Sequence, residues 1–242
     1  MRHALQWALS ILFNILMYLS LILGALIFTP LVLRDRKWAS FWMRYYARWV
    51  RFLARWIVGL KTEVRGEVPD GPALIASKHQ SFLDSITLFS VLPAPRFIMK
   101  KELSWIPLIG WHAVQAGFIP VDRGKRGAAI KKLKADVEKG KATPGQLIIY
   151  PQGTRVAPGV AAPYKMGTAV LYAQLGQDCH PVATNVGLFW PRHGVFRKPG
   201  TAVIEFLPPI APGLDAGGFM AEVERVIEAA SDRLNDEARG RA

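Results

Sequence analysis

A chain of 242 residues that is 51% hydrophobic and 20% charged holds ample material for a core and is too apolar to be a disordered tail. Its formal charge of +13 calls for an anionic counterpart: a membrane surface, a nucleic acid or an acidic substrate. One cysteine, Cys179, excludes an internal disulfide and a cysteine metal cluster, and suits a reducing compartment.

Residues 4–33 carry no charged side chain, and "ILMYLSLILGALIF" is their most apolar part. The run is long enough to cross a bilayer as a helix, which takes about 20 apolar residues. It is longer than the apolar region of a cleavable signal peptide, and no A-x-A site follows it. Asn14, Ser20 and Pro30 leave open a helix that dips into the membrane without crossing it. Arg2 stands before the run, and Arg34, Arg36 and Lys37 follow it, so the bulk of the protein is expected on the cytoplasmic side of the inner membrane.

The next stretch, "KWASFWMRYYARWVRFLARWIVGL", predicts a second helix. At helical spacing Lys37, Arg44, Arg48, Arg51 and Arg55 share an arc of about 60°. Trp38, Trp42, Tyr45, Trp49, Phe52 and Trp56 gather on a neighbouring face. Indole rings favour the headgroup level, and arginines beside them reach lipid phosphates. Trp38, Trp42, Arg44, Arg48, Trp49, Arg51, Arg55 and Trp56 are therefore the expected membrane-binding residues. The plain alternative is a packed helix with a solvated arginine face. An uncharged anchor directly before the arginines favours lipid over nucleic acid. Residues 1–61 read as a membrane-anchoring two-helix segment.

After "EVPDGP" the texture changes. Short apolar runs at 72–77, 96–99, 117–121, 146–150, 180–186 and 201–207 read as strands, and helical patterns fall at 82–91, 126–139, 164–175 and 217–235. The alternation predicts an α/β domain over 62–242, a mixed sheet flanked by helices.

Chemistry concentrates at the strand ends. "SKHQSFLDS" sets His79 five places before Asp84. Ser81-x-x-Asp84 is also a capping box, with Ser81 as N-cap and Asp84 at N3. Residues five apart on one helix point about 140° from each other, so the pair can meet only if His79 lies in the loop before the helix. "FIPVDRG" puts Arg123 past one strand, "IIYPQGTR" puts Gly153, Thr154 and Arg155 past another, and "HPVATN" ends a third in Asn185. Strand ends form the ligand crevice in many α/β sheets, and arginines beside a Gly-Thr pair suit a phosphate.

In this order, His79-x4-Asp84, "FIPVDRG", "YPQGTR" and "PVATN" resemble the glycerolipid acyltransferase family, and within it the bacterial 1-acylglycerol-3-phosphate acyltransferases. The resemblance covers about residues 60–210, and the aromatic-rich N-terminus is similar to the membrane anchor of that branch. It implies acyl transfer from acyl-CoA or acyl carrier protein, as co-substrate, to the sn-2 hydroxyl of lysophosphatidic acid. Where the family reads E-G-T-R, this chain has Gln152, which carries no charge.

A histidine side chain titrates near neutrality and suits the role of base toward a hydroxyl, with Asp84 fixing its tautomer. The acceptor hydroxyl itself attacks, so no serine or cysteine nucleophile is needed. Lys100 or Lys101, in "IMKKELSWIPLIG", is the expected donor to the oxyanion. Arg123, Gly153, Thr154 and Arg155 are assigned to the acceptor phosphate. With so few His and Cys, no metal set emerges and none is expected. The alternatives are acylation of another lysolipid, such as a lyso-ornithine lipid or a lysophospholipid, and a non-catalytic lipid-binding membrane protein.

Overall fold

A computed structural model describes residues 2–121, Lys131 and residues 144–240. Two N-terminal helices, α1 (Arg2–Arg34) and α2 (Lys37–Ile57), lead into β1 (Leu60–Arg65). There follow β2 (Ala73–Ser77), α3 (Phe82–Val91), β3 (Pro95–Lys100), a 3₁₀ turn (Lys101–Trp105), α4 (Ile109–Gln115) and β4 (Ile119–Val121). The chain resumes with β5 (Gln146–Ile149), α5 (Gly167–Leu175), β6 (Cys179–Thr184), a 3₁₀ turn (Val186–Leu188), β7 (Gly200–Phe206) and α6 (Ala216–Arg239). The helix expected over 126–139 and Arg123 lie outside the described residues, except that Lys131 is helical and exposed.

The seven strands form one sheet in the order β1-β7-β6-β2-β5-β3-β4. All pairings are parallel except β6 with β7, which makes the sheet mixed. Central β2, "ALIAS", is buried at every position, as a strand covered on both faces requires. Its side chains alternate between two layers. Ala73 and Ile75 join a core with α1, α2 and α3, while Leu74 and Ala76 join one with α5 and α6. Ile148 of β5 faces the first layer, and Leu147 and Ile149 face the second.

The first layer makes the N-terminal helices part of the fold. Phe13, Met17 and Ala25 of α1 and Val50, Leu53 and Ala54 of α2 belong to the same core as the sheet. A polar seam fixes the first half of α1. Gln6 Nε2 donates to the carbonyls of Val58 and Arg197, at 3.0 and 2.9 Å. Arg197, buried and stacked 4.2 Å over the Trp190 ring, donates to Asn14 Oδ1 at 3.0 Å. Burial pushes its guanidinium down to about 10. Farther along, His112 of α4 accepts from Trp42 Nε1 at 2.8 Å through Nδ1, and its Nε2 faces the Ala25 carbonyl at 3.1 Å and Thr29 Oγ1 at 3.0 Å. That imidazole is fully buried, and loss of water lowers its pKa.

This packing corrects three membrane-binding expectations. Trp42 is 2% exposed, because its stretch of α2 is covered by α1 and α4. Arg44 donates to the Leu92 and Pro93 carbonyls at 2.7 and 2.5 Å, where a cation complements the C-terminus of α3. Arg51 donates to Thr62 Oγ1 at 2.6 Å and Ser90 Oγ at 2.8 Å. Burial, then the Arg48 cation, lowers the pKa of both guanidinium groups. Trp38, Arg48, Trp49, Arg55 and Trp56 remain exposed.

Candidate active site

β2 ends at Ser77 and delivers His79 into the loop before α3. Ser81 takes an extended backbone, and its hydroxyl accepts from Leu83 N at 3.2 Å, so α3 starts where the capping pattern places it. The other half of the box is the fully buried Asp84. Its Oδ2 accepts from the backbone N–H of Gln80 and of Ser81, both at 2.8 Å. Its Oδ1 faces His79 Nδ1 at 2.9 Å. One carboxylate thus caps the helix and holds the imidazole with its two separate oxygens. An ionised carboxylate only accepts, so Nδ1 is the donor of this pair, and Nε2 is the ring nitrogen left to take a proton whenever the ring is neutral.

Two side chains that sequence reasoning left unassigned complete this shell. The Tyr150 ring, at the end of β5, stacks on the His79 ring at 3.7 Å between centroids and 14° between planes. Its hydroxyl is 2.6 Å from Ser85 Oγ and 3.5 Å from Asp84 Oδ1. Removal from water, then the facing Asp84 carboxylate, raises its pKa well above the usual phenol value. Both residues lie inside the strings "FLDS" and "IIYPQGTR", but only the pairing of β2 with β5 brings them together.

A third missed residue precedes the base. Lys78 is 3% exposed, and its ammonium sits 2.5 and 2.6 Å from the two carboxylate oxygens of Glu228 on α6. Tyr164 donates to the same carboxylate at 2.8 Å. The end of β2 is thereby tied to the C-terminal helix from the side away from α3.

The Gly-Thr-Arg turn lies beside the pair. Val156 N donates to the His79 carbonyl at 2.8 Å, which fixes the turn against the base loop. Gly153 has φ +69°, a conformation that favours glycine, and its N–H closes the turn on the Tyr150 carbonyl at 2.8 Å. A Cβ there would stand 2.8 Å from Lys165 Nζ, so a further cation overlies the turn. Gly153 and Thr154 are exposed, and Arg155 is half-buried, its Nη1 3.4 Å from the Arg192 carbonyl. Gln152 is buried and donates to the Ala162 carbonyl at 3.4 Å, a contact that a carboxylate at this position could not make.

Other candidates do not touch this pair. Lys100 and Lys101 are exposed at the C-terminal end of β3, beyond β5 from β2. Asn185 is buried and structural: it donates to the Leu234 carbonyl at 3.0 Å and accepts from Val203 N at 2.7 Å.

The arrangement offers an oriented imidazole beside a glycine turn flanked by cations, at the C-terminal ends of β2 and β5. It is suited to removing a proton from a substrate held by an anionic group. The chain also resembles known proteins over most of its length. The family model described as Acyltransferase matches residues 61–185. A 1-acyl-sn-glycerol-3-phosphate acyltransferase of Pseudomonas aeruginosa is 28% identical over 224 residues, covering 89% of this chain and 87% of the relative. One from Saccharomyces cerevisiae is 30% identical over 68% of this chain, which spans 56% of that relative. In fold, the crystal structure of the 1-acyl-sn-glycerophosphate (LPA) acyltransferase, PlsC, from Thermotoga maritima aligns with a TM-score of 0.78, covering 97% of this chain and 98% of that one at 20% identity. With more than half of its length matched by the family model, the chain belongs to the Acyltransferase family.

Proposed function

We propose that this protein transfers an acyl chain from acyl-CoA or acyl carrier protein to the sn-2 hydroxyl of 1-acylglycerol-3-phosphate, giving phosphatidic acid. His79 Nε2 takes the hydroxyl proton as the oxygen attacks the thioester carbonyl. The C–S bond breaks, the new ester C–O bond forms, and the leaving thiolate takes the proton from the imidazolium. Asp84 stabilises the imidazolium in between. Arg155, Gly153 and Thr154, with Lys165 above them, bind the acceptor phosphate. Arg123 is assigned to the same group from sequence, and Lys100 or Lys101 to the oxyanion.

The observation that carries this reading is the 2.9 Å contact from His79 Nδ1 to a carboxylate already anchored by two backbone N–H groups. It gives a base of fixed tautomer in a chain whose relatives are named for this reaction. The decisive experiment supplies purified protein with acyl-CoA and a mixture of lysophosphatidate, lyso-ornithine lipid and lysophosphatidylcholine. Selective loss of lysophosphatidate, abolished by His79→Ala, supports the proposal. Preferential loss of another lysolipid replaces the substrate, and turnover unaffected by His79→Ala removes the mechanism.

The same reading seats the protein on the cytoplasmic face of the inner membrane. α1 is long and apolar enough to cross a bilayer by length and composition, with a mean hydropathy of 2.5 in its most apolar window. Yet its contacts with the catalytic domain extend from Gln6 to Thr29, about 35 Å of helix, more than the hydrocarbon thickness of about 30 Å. A helix docked over that length to a water-facing domain lies along one leaflet. Its outward row, including Leu12, Ile15, Leu19, Leu26 and Ile27, faces lipid.

A further inference from the structure

The turn that follows β3 presents a surface that neither the catalytic pair nor the two N-terminal helices explain. Leu103, Trp105 and Ile106 are 46%, 68% and 45% exposed, in a stretch that opens with Lys100 and Lys101 and carries one acid, Glu102. A monomeric soluble surface rarely groups an exposed tryptophan with two large aliphatic residues unless something covers them. We infer that this turn is a second membrane-contacting element, inserting into the headgroup region of an anionic lipid surface next to the catalytic end of the sheet.

Its mounting supports that occupant. A Cβ on Gly110 would stand 2.5 Å from the Leu103 carbonyl oxygen and 2.6 Å from Ser104, so the backbone of the turn rests directly on α4. α4 in turn is fixed through His112 to Ala25 and Thr29 of α1 and to Trp42 of α2. Through α4 the turn therefore has a set position relative to the part of α1 whose Leu26, Ile27 and Leu33 are exposed.

The backbone carries an independent mark. Leu108 is the one described non-glycine residue with positive φ, at φ 65° and ψ −60°, and Ile109 N donates to the Pro107 carbonyl at 2.6 Å. This is the strained form of the γ-turn, which persists only where surrounding structure imposes it. Here it reverses the chain between the outward-facing apolar turn and the inward-packed α4. Tryptophan beside lysine matches the headgroup zone, with aliphatic neighbours at the acyl boundary, better than a dry protein interface that disfavours lysine.

This inference rests on the membrane-bound lysolipid acyltransferase reading, and its test separates the two. In the full-length protein, Leu103→Cys can be labelled with a polarity-sensitive fluorophore, because Cys179 is buried and its thiol is pushed up to about 12. Vesicles of phosphatidylcholine and phosphatidylglycerol should shift the probe to the blue and expose it to lipid-borne quenchers, whether or not the protein turns over. A probe that stays in water while the protein floats with the vesicles overturns the inference. As a second measurement, combined Leu103→Ser, Trp105→Ser and Ile106→Ser should raise KM about tenfold for vesicle-borne lysophosphatidate while leaving a water-soluble short-chain analogue unaffected. Equal KM to the parent on vesicles also overturns it. If the parent acylates no lysophosphatidate while the probe enters lipid, the function fails and this contact stands.

Discussion

The base loop and the Gly-Thr-Arg turn meet at the same end of the sheet but are built differently. Around His79, Asp84 is fully buried and each of its oxygens is engaged by short contacts from elements that cannot move independently. Around Gly153, the backbone turn is fixed, but its cations are exposed or half-buried, and the Arg155 guanidinium reaches only the Arg192 carbonyl, at 3.4 Å, among the described side-chain contacts, while its own carbonyl accepts from Arg192 Nη1 at 3.1 Å. The first region is organised before substrate arrives. The second leaves its charges in water, as the phosphate grip proposed above requires.

Substitutions can break that contrast. His79→Ala is expected to lower kcat by about 10²–10⁴-fold with vesicle binding unchanged, measured by product formation and flotation. Asp84→Asn is expected to do nearly as much harm and to lower the melting temperature too. An amide cannot accept at both positions, so it sets a donor against either the imidazole or the backbone N–H groups. Retained activity in Asp84→Asn would show that the two oxygens do not share the work described.

Smaller effects sharpen the contrast. Arg155→Ala is expected to cut kcat/KM for lysophosphatidate by about 10- to 100-fold, far more than for an acceptor without phosphate, with Arg155→Lys restoring part. An equal loss on both acceptors would move Arg155 out of the phosphate grip. Lys165→Ala, removing an exposed cation above the turn, is expected to change KM for lysophosphatidate by about threefold and kcat hardly at all. Ser81→Ala removes only the cap on Leu83 N. It should cost about 1 kcal/mol in denaturant unfolding and leave the rate near that of the parent, because Asp84 still orients the base.

The parts of this site that obey local rules were legible in the sequence. α3 begins and ends at the residues its capping box and apolar run dictate, and the alternation of strands and helices gives a mixed, helix-covered sheet. What was missed depends on distant pairing. β1, "LKTEVR", has too few apolar residues to stand out, and it exists as a strand because β7 runs beside it. Tyr150 reaches His79 only because β5 inserts next to β2. The angular positions of Trp42, Arg44 and Arg51 on α2 were readable, but not which face α1, α4 and α3 would cover.

The shared core beneath α1 and α2 bears on how this enzyme is kept at the membrane. In many peripheral proteins the anchor is an appendage, and cutting it off releases a soluble catalyst. Here α2 covers one face of the sheet, and α1 closes over α2 through Phe13, Met17 and the His112 junction. A truncation beginning near residue 62 would bare Ile75, Ile148 and Val182 to water and leave the partners of Arg51 unpaired. It should aggregate rather than work in solution. Proteolytic removal of the two helices would therefore destroy the catalyst in the same stroke.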